Sequence, residues 1–272
     1  MKAKKSKYLW LKKIGLLVII FSLGLHSCSK VFEFSPYSAN VDNDQLNTNN
    51  NQWQDMDLSF KSPADFSFAV IGDIHYHYDE LAAMIGNINK DEDIEFVVIV
   101  GDIADQALLK EYEFYYEVMK DLDKPYFTLI GNHDYNANGE TIYQEMFGPT
   151  NFDFEYQNIH FVFFDDVFWE SNTLPNFDWL ERKLEEHPEH EQVVFSHIPP
   201  FGDQFTEETE LRYAQLMAEH QVMISIHGHT HGYYYGNYYM DEVPYLILPW
   251  AKLHQYAKIS IRDDCYQVRM KE

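Results

Sequence analysis

The sequence predicts an α/β protein with more than one β-sheet, on three observations. Strand-like and helix-like segments alternate through the first half of the chain. Residues 96–100 and 126–130 are continuously apolar, as strands covered on both sheet faces are. The C-terminal part is mostly strand signal, which adds mixed β-structure to a βαβαβ start. In order, residues 66–71 form a β-rich run, 79–89 carry helical spacing and 96–100 give the second strand. Residues 107–122 predict a helix with Leu108, Leu109, Tyr112, Tyr115, Tyr116 and Met119 at its apolar positions. Residues 126–130 give the third strand, and 152–156 with 159–164 read as a hairpin. A helix over 177–186, a strand over 192–195, a helix over 207–220 and a strand over 222–226 follow. The chain closes with strands over 233–239, 245–248, 255–261 and 266–270, the last two joined by a turn at Asp263-Asp264.

The 272 residues are 46% hydrophobic and 17% aromatic, enough for one core of ordinary size or two small ones. Only 12 Gly and 2 Cys exclude collagen-like and disulfide-stapled classes. Lys+Arg number 20 against 44 Asp+Glu, a formal charge of −24. Nucleic acid is therefore not an expected partner, because gripping its backbone needs a basic footprint.

Residues 1–27 are expected to be a signal peptide. Lys2, Lys4, Lys5, Lys7, Lys12 and Lys13 precede an apolar run over 14–25, shorter than the ~20 residues that span a bilayer. The junction Leu25-His26-Ser27-Cys28 resembles the lipobox of bacterial lipoproteins, which implies export and a membrane anchor through lipidated Cys28. Cys265 is then a lone thiol in a hairpin, with no internal disulfide. Residues 28–64 are expected to form a polar tether or N-terminal arm, and 65–272 the folded domain. Within the arm, 38–57 is rich in Asn, Asp and Gln, too polar to offset its ordering entropy by burial.

Five short segments carry the chemistry. Gly72-Asp73-Ile74-His75, Gly101-Asp102-Ile103-Ala104-Asp105, Gly131-Asn132-His133-Asp134 and Gly228-His229-Thr230-His231 all end strands, and Ser196-His197-Ile198 follows the strand at 192–195. In open α/β sheets the crevice beyond the carboxyl ends of strands is where ligands bind. Oxygen and imidazole donors without thiolate suit Mn, Fe or Zn. The set is too large for one tetrahedral ion. Two cations ~3.5–4 Å apart with a shared carboxylate would use it, and that is an arrangement for hydrolysing phosphate esters.

In this order, from Asp73 to His231, the motifs are similar to those of the calcineurin-like metallophosphoesterase superfamily. The resemblance implies a four-layer αββα sandwich, two mixed β-sheets flanked by helices. It implies two metal ions, one bound by Asp73, His75, Asp102 and His231, the other by Asp102, Asn132, His197 and His229, with Asp102 as the bridge. His133 would act on the leaving-group oxygen, and Asp105 would orient its imidazole. A water shared by two dications ionises near neutral pH, which supplies the hydroxide for attack on a small phosphomonoester or phosphodiester. Asp105 disfavours the purple acid phosphatases, which would carry an iron-bound tyrosine there. Gln106 and Asp134 depart from the arginine and glutamate of the superfamily's protein phosphatases. The overall pattern is similar to class III cyclic-nucleotide phosphodiesterases and related small phosphodiesterases or phosphatases. A tethered binding protein that uses metals for capture without hydrolysis is the alternative class.

Other residues read more plainly. Asp134 is expected to stabilise its own loop. His77 and His227 lie beside motifs and match no ligand of the family. His160, His187, His190 and His220 read as surface or structural, and the Tyr233-to-Tyr239 run as sheet packing. Trp250 and His254 read as core and rim.

Overall fold

Apolar alternation is what layers this molecule. In β1 (Asp65–Ile71) Phe66, Phe68 and Val70 face one way and Ala69 and Ile71 the other, and all five are buried. β2 (Ile94–Val100) and β3 (Tyr126–Leu129) pair in parallel beside it. The computed structural model describes residues 35–56, 65–262 and 265–272. The leader, Cys28, residues 57–64 and the Asp263-Asp264 turn lie outside the described residues.

The C-terminal hairpin, β10 (Tyr256–Arg262) and β11 (Cys265–Lys271), joins β1 antiparallel, so the first sheet runs β11-β10-β1-β2-β3. The second sheet runs β4-β5-β6-β7-β9-β8, from β4 (Phe152–Tyr156), β5 (Ile159–Phe164), β6 (Glu191–Ser196), β7 (Ile224–His227), β8 (Tyr234–Gly236) and β9 (Tyr245–Ile247). Both sheets are mixed. Their facing sides meet in an aromatic core: Phe68 stacks on Phe96, and Phe161 meets both edge-on at 5.5 and 5.3 Å.

Helices cover the two outer faces. α2 (Tyr78–Ile88) buries Leu81, Met84, Ile85 and Ile88, a single stripe at helical spacing, and α3 (Leu109–Met119) buries Leu109, Tyr112, Tyr115 and Met119 beside it on the first sheet. α4 (Gly139–Met146) completes that layer. α5 (Phe177–Glu186) and α6 (Glu207–Glu219) cover the second sheet through Phe177, Leu180, Leu184, Tyr213 and Met217. This is the expected αββα sandwich. No helix among the described residues is long and apolar enough to cross a membrane.

Three expectations change. The helix expected over 107–122 runs over Leu109–Met119; Glu111 gathers the backbone N–H groups of Asp105, Gln106 and Leu108 and so sets its start at Leu109. The strand expected over 233–239 shrinks to three residues at a sheet edge, with Tyr233, Tyr235 and Tyr238 exposed. Within the stretch read as a loose arm, α1 (Thr48–Asp55) docks against β3, an edge strand. The Asn49 side chain donates to the Thr128 carbonyl at 3.0 Å and accepts the Thr128 N–H at 2.9 Å, as a neighbouring strand would. The N–H groups of Asn47 and Asn49 and the hydroxyl of Thr48 donate to carbonyls of Glu145, Phe147 and Met146 where α4 ends. Polar side chains thus order the segment through hydrogen bonds, a route that burial-based reasoning does not count.

Candidate metal centre

The seven expected ligands all lie beyond the C-terminal ends of strands. Asp73 and His75 follow β1, Asp102 follows β2, Asn132 follows β3, His197 follows β6, and His229 and His231 follow β7. His75, Asp102, His229 and His231 have φ of 48°, 51°, 67° and 61°. A left-handed backbone at a residue other than glycine costs of order 1–3 kcal/mol, so the turns that aim these side chains hold strain at the site. The two histidines of Gly-His-x-His therefore do not alternate along a straight strand; the turn sends them to different neighbours. Gly101, at φ +94°, and Gly131 make the remaining room: a Cβ on Gly101 would meet His197 Nδ1 at 2.5 Å, and one on Gly131 would meet Asp102 Oδ1 at 2.3 Å.

Three donor groups result, and two of them share Asp102; the third is His75, Asp105 and His133. Asp73, His75, Asp102 and His231 each place a donor atom within 4.8 Å of the others, and so do Asp102, His197 and His229. Asp102 belongs to both. In the first group His75 Nε2 lies 3.2 Å from His231 Nε2 and 3.6 Å from Asp102 Oδ2. Asp73 Oδ2 is buried, accepts no hydrogen bond, and stands 3.1 Å from His231 Nε2. In the second, His197 Nε2 is 3.3 Å from Asp102 Oδ2 and 3.1 Å from Asn132 Oδ1, and His229 Nδ1 is 2.9 Å from that same Oδ1. Imidazole nitrogens and carboxylate oxygens aimed at each other at these distances suit a shared cation, and the donor set is of the right chemistry.

The supports are as ordered as the ligands. His197 Nδ1 meets the Val100 carbonyl at 2.7 Å, which points Nε2 inward. Asp102 Oδ1 accepts the His133 N–H, and Asp73 Oδ1 the His229 N–H, each at 2.9 Å, leaving the Oδ2 atoms for the centre. His133, partly open at the rim, lies with Nδ1 2.9 Å from the Asp105 carbonyl and 3.8 Å from its carboxylate. That carboxylate also stands 3.6 Å from His75 Nδ1. Asp134 reaches further than its own loop: it accepts from the N–H groups of Gly131, Ile103 and Ala104 and from the Tyr112 hydroxyl, tying the Asp102 and Asn132 loops together.

The electrostatics are those of a crowded charge cluster. Burial would raise Asp102, but His197, His133 and His75 outweigh it and hold the carboxyl well below the usual range. Burial would lower His197, but Asp102 foremost pushes it up to about 10. His133 is raised as well: burial opposes, and Asp102 and the Asp105 carbonyl prevail. Burial lowers His75 and His229.

Some residues fall outside the centre, and some had no motif to announce them. His227 is fully buried between Ser196 and Ser225, and burial lowers its pKa to about 3, so it is a neutral core residue. His77 packs its ring edge-on against Trp250, which in turn stacks on His231 at 4.5 Å. Three supporting carboxylates were not expected. Glu170 accepts from the Asn132 amide at 3.1 Å and from Gln204 at 2.8 Å. Asp203 lies 3.1 Å from His229 Nε2. Asp166 accepts the Ile198 N–H beside His197, and burial raises its pKa to about 7. Asp165-Asp166 follows the apolar run of β5, so the strand-end rule applied to that strand would have found it; Glu170 and Asp203 sit in loops without a pattern.

Residues 66–233 match the family model described as calcineurin-like phosphoesterase. The chain belongs to this family. A protein of Xenorhabdus bovienii named a probable cyclic nucleotide phosphodiesterase is 25% identical over 200 residues, which cover 68% of this chain and 81% of that one. A protein of Arcobacter nitrofigilis named a probable glycerophosphodiester phosphodiesterase is 25% identical over 198 residues, 64% of this chain and 69% of that one. The purple acid phosphatase PPD1 of yellow lupin superposes with a TM-score of 0.61 at 13% identity, covering 77% of this chain and 52% of its own, and shares the fold. As a calcineurin-like phosphoesterase, the protein is a phosphoric ester hydrolase of a family that works with divalent metal ions.

Proposed function

We propose that this calcineurin-like phosphoesterase hydrolyses small phosphodiesters with two metal ions. The observation that carries the reading is Asp102, the one carboxylate that two donor groups share. Asp73, His75, Asp102 and His231 would hold one ion, and Asp102, Asn132, His197 and His229 the other. Bound there, the ions supply positive charge for the phosphate oxygens and acidify a water towards neutral pH. The likeness to two relatives named as probable phosphodiesterases supports a diester over a monoester.

The chain's own residues do the rest. His133 Nδ1–H donates to the Asp105 carbonyl, so the proton that leaves for the ester oxygen is the one Nε2 carries in the imidazolium form. Burial favours the neutral His133 ring, but Asp102 and the Asp105 carbonyl outweigh it and favour the protonated form. His75 presses against the His133 ring at 4.7 Å and limits its swing. The surface is strongly acidic, so without bound cations an anionic substrate is repelled.

We further propose that Cys28 carries a lipid that holds the enzyme on a bacterial membrane. Labelling with radioactive palmitate, lost in Cys28→Ser, tests that reading. The activity is tested by a panel containing bis(p-nitrophenyl) phosphate, p-nitrophenyl phosphate, a glycerophosphodiester and a cyclic nucleotide, with metal analysis on the same batch. Diester turnover that disappears with Asp102→Ala, together with the bound metal, is the expected result. Metal-loaded protein that turns over none of the panel would overturn the reading.

A further inference from the structure

Three of the four histidines read from the sequence as surface or structural, His160, His187 and His190, lie together, far along the second sheet from the strand ends that carry the catalytic cluster. Glu155 of β4 and His160 of β5 are direct cross-strand partners, with side chains on the face that α5 covers. His187 caps the end of α5, and His190 follows one turn later, its N–H donating to the His187 carbonyl at 3.1 Å. Pro188 at the second position of this turn suits its φ. Gln192 donates to the Leu184 carbonyl at 2.8 Å and braces the same turn.

The turn aims both rings at one carboxylate. His187 Nδ1 lies 2.8 Å from Glu155 Oε1, and His190 Nδ1 lies 3.5 Å from Glu155 Oε2. The two rings are parallel within 11°. His190 Nδ1 is buried and makes no hydrogen bond, and neither does Nδ1 of the fully buried His160, whose ring lies 4.6 Å from that of His187. Ligands 2.0–2.1 Å from a tetrahedral zinc stand ~3.3 Å apart, the range of these separations.

We propose a second, peripheral metal site for a zinc-type dication, held by Glu155, His187 and His190. The neighbouring group of Asp153, His160 and His187 shares His187 and is the weaker competitor, because Lys183 occupies Asp153 at 3.1 Å. His160 Nε2–H instead donates to Asp153 Oδ2, 3.0 Å away, and backs the site from within the sheet. An ion here clamps the β4–β5 hairpin to the connection between α5 and β6. The site is separate from the hydrolytic centre and stands whether or not the proposed activity does.

The test is zinc binding by the full-length chain, measured by equilibrium dialysis, for wild type, His187→Gln/His190→Gln and Asp102→Ala. The expected result is loss of one zinc equivalent in the double variant, with unchanged phosphoesterase activity and circular dichroism, and retention of that same equivalent in Asp102→Ala. Glu155→Gln, which keeps the shape of the side chain, should weaken the same equivalent. Equal zinc content in wild type and the folded double variant would overturn the site. A double variant that does not fold hands the decision to Glu155→Gln, whose unchanged zinc content would likewise overturn it.

Discussion

Asp102 Oδ2 stands 3.3 Å from His197 Nε2, a carboxylate from the end of a strand in one sheet against an imidazole from the end of a strand in the other. The contact joins the two halves of the sandwich at the point where the donor groups overlap, and it sets a pH dependence. Without metal, burial opposes charge on His197, yet Asp102 keeps it protonated up to about pH 10. A histidine raised above 6.5 contributes stability that is full below 6.5 and is lost as pH climbs through its folded pKa. A cation needs the deprotonated ring, so its stabilisation grows over the same window. The gap in Tm between manganese-loaded and chelated protein should therefore widen from about pH 6.5 to about pH 9. A gap that stays constant would remove His197 from the ligand set.

His133 lies at the mouth with its Nδ1 on the Asp105 carbonyl, outside both groups that share Asp102. His133→Ala should leave metal content intact and lower turnover by ~10²–10⁴-fold. The loss should be greatest for esters of poor leaving groups, because p-nitrophenolate departs without a proton. Equal losses for alkyl and aryl esters would mean that the imidazole acts on binding.

Glu170 controls which end of Asn132 faces the two imidazoles. By accepting from Nδ2 at 3.1 Å, it leaves Oδ1 turned towards His197 and His229. Glu170→Ala frees the amide to rotate and should weaken metal binding by ~10–100-fold, as the loss of a supporting hydrogen bond does. Titration with manganese reads the change; an unaltered affinity would show that Asn132 is held by its other contacts.

The ligands were legible because they follow a local rule: an apolar strand, a glycine, then a polar donor. Gly131 shows the physics behind the rule. Its missing Cβ would sit 2.2 Å from the Asp102 amide nitrogen and 2.3 Å from Asp102 Oδ1. What escaped was non-local. Glu170 and Asp203 come to the centre from loops whose paths no periodicity encodes, and α1 is polar throughout its exposed face. The left-handed turns at His75, Asp102, His229 and His231 were also invisible, since nothing in those residue types demands a positive φ.

Gly131→Ala forces Asp102 to move, so it should cost about 1–3 kcal/mol and empty both groups that share Asp102. Gly86→Ala is the contrast. Its Cβ would meet nothing within 4 Å in the middle of α2, and alanine there should add about 0.5–1 kcal/mol. Urea unfolding with metal analysis measures both. Gly131→Ala with full metal content would mean that the Asp102 loop yields without losing its aim.

Asn49 is the residue on which the docking of α1 turns. Its amide gives the edge strand β3 both a donor and an acceptor at Thr128, and Tyr143 adds a hydrogen bond to the same carbonyl. Removing the amide leaves the Thr128 N–H without its partner, while the carbonyl keeps Tyr143. A buried donor without a partner costs about 1–3 kcal/mol. Asn49→Asp retains the acceptor for that N–H and loses the donor to a carbonyl already served, so it should cost less than Asn49→Ala at neutral pH. The order of urea midpoints, wild type above Asn49→Asp above Asn49→Ala, together with faster amide exchange at Thr128 in Asn49→Ala, is the expected outcome. Three equal midpoints would mean that α1 rests on Trp53 against Phe154, 4.9 Å away, and that the amide only follows.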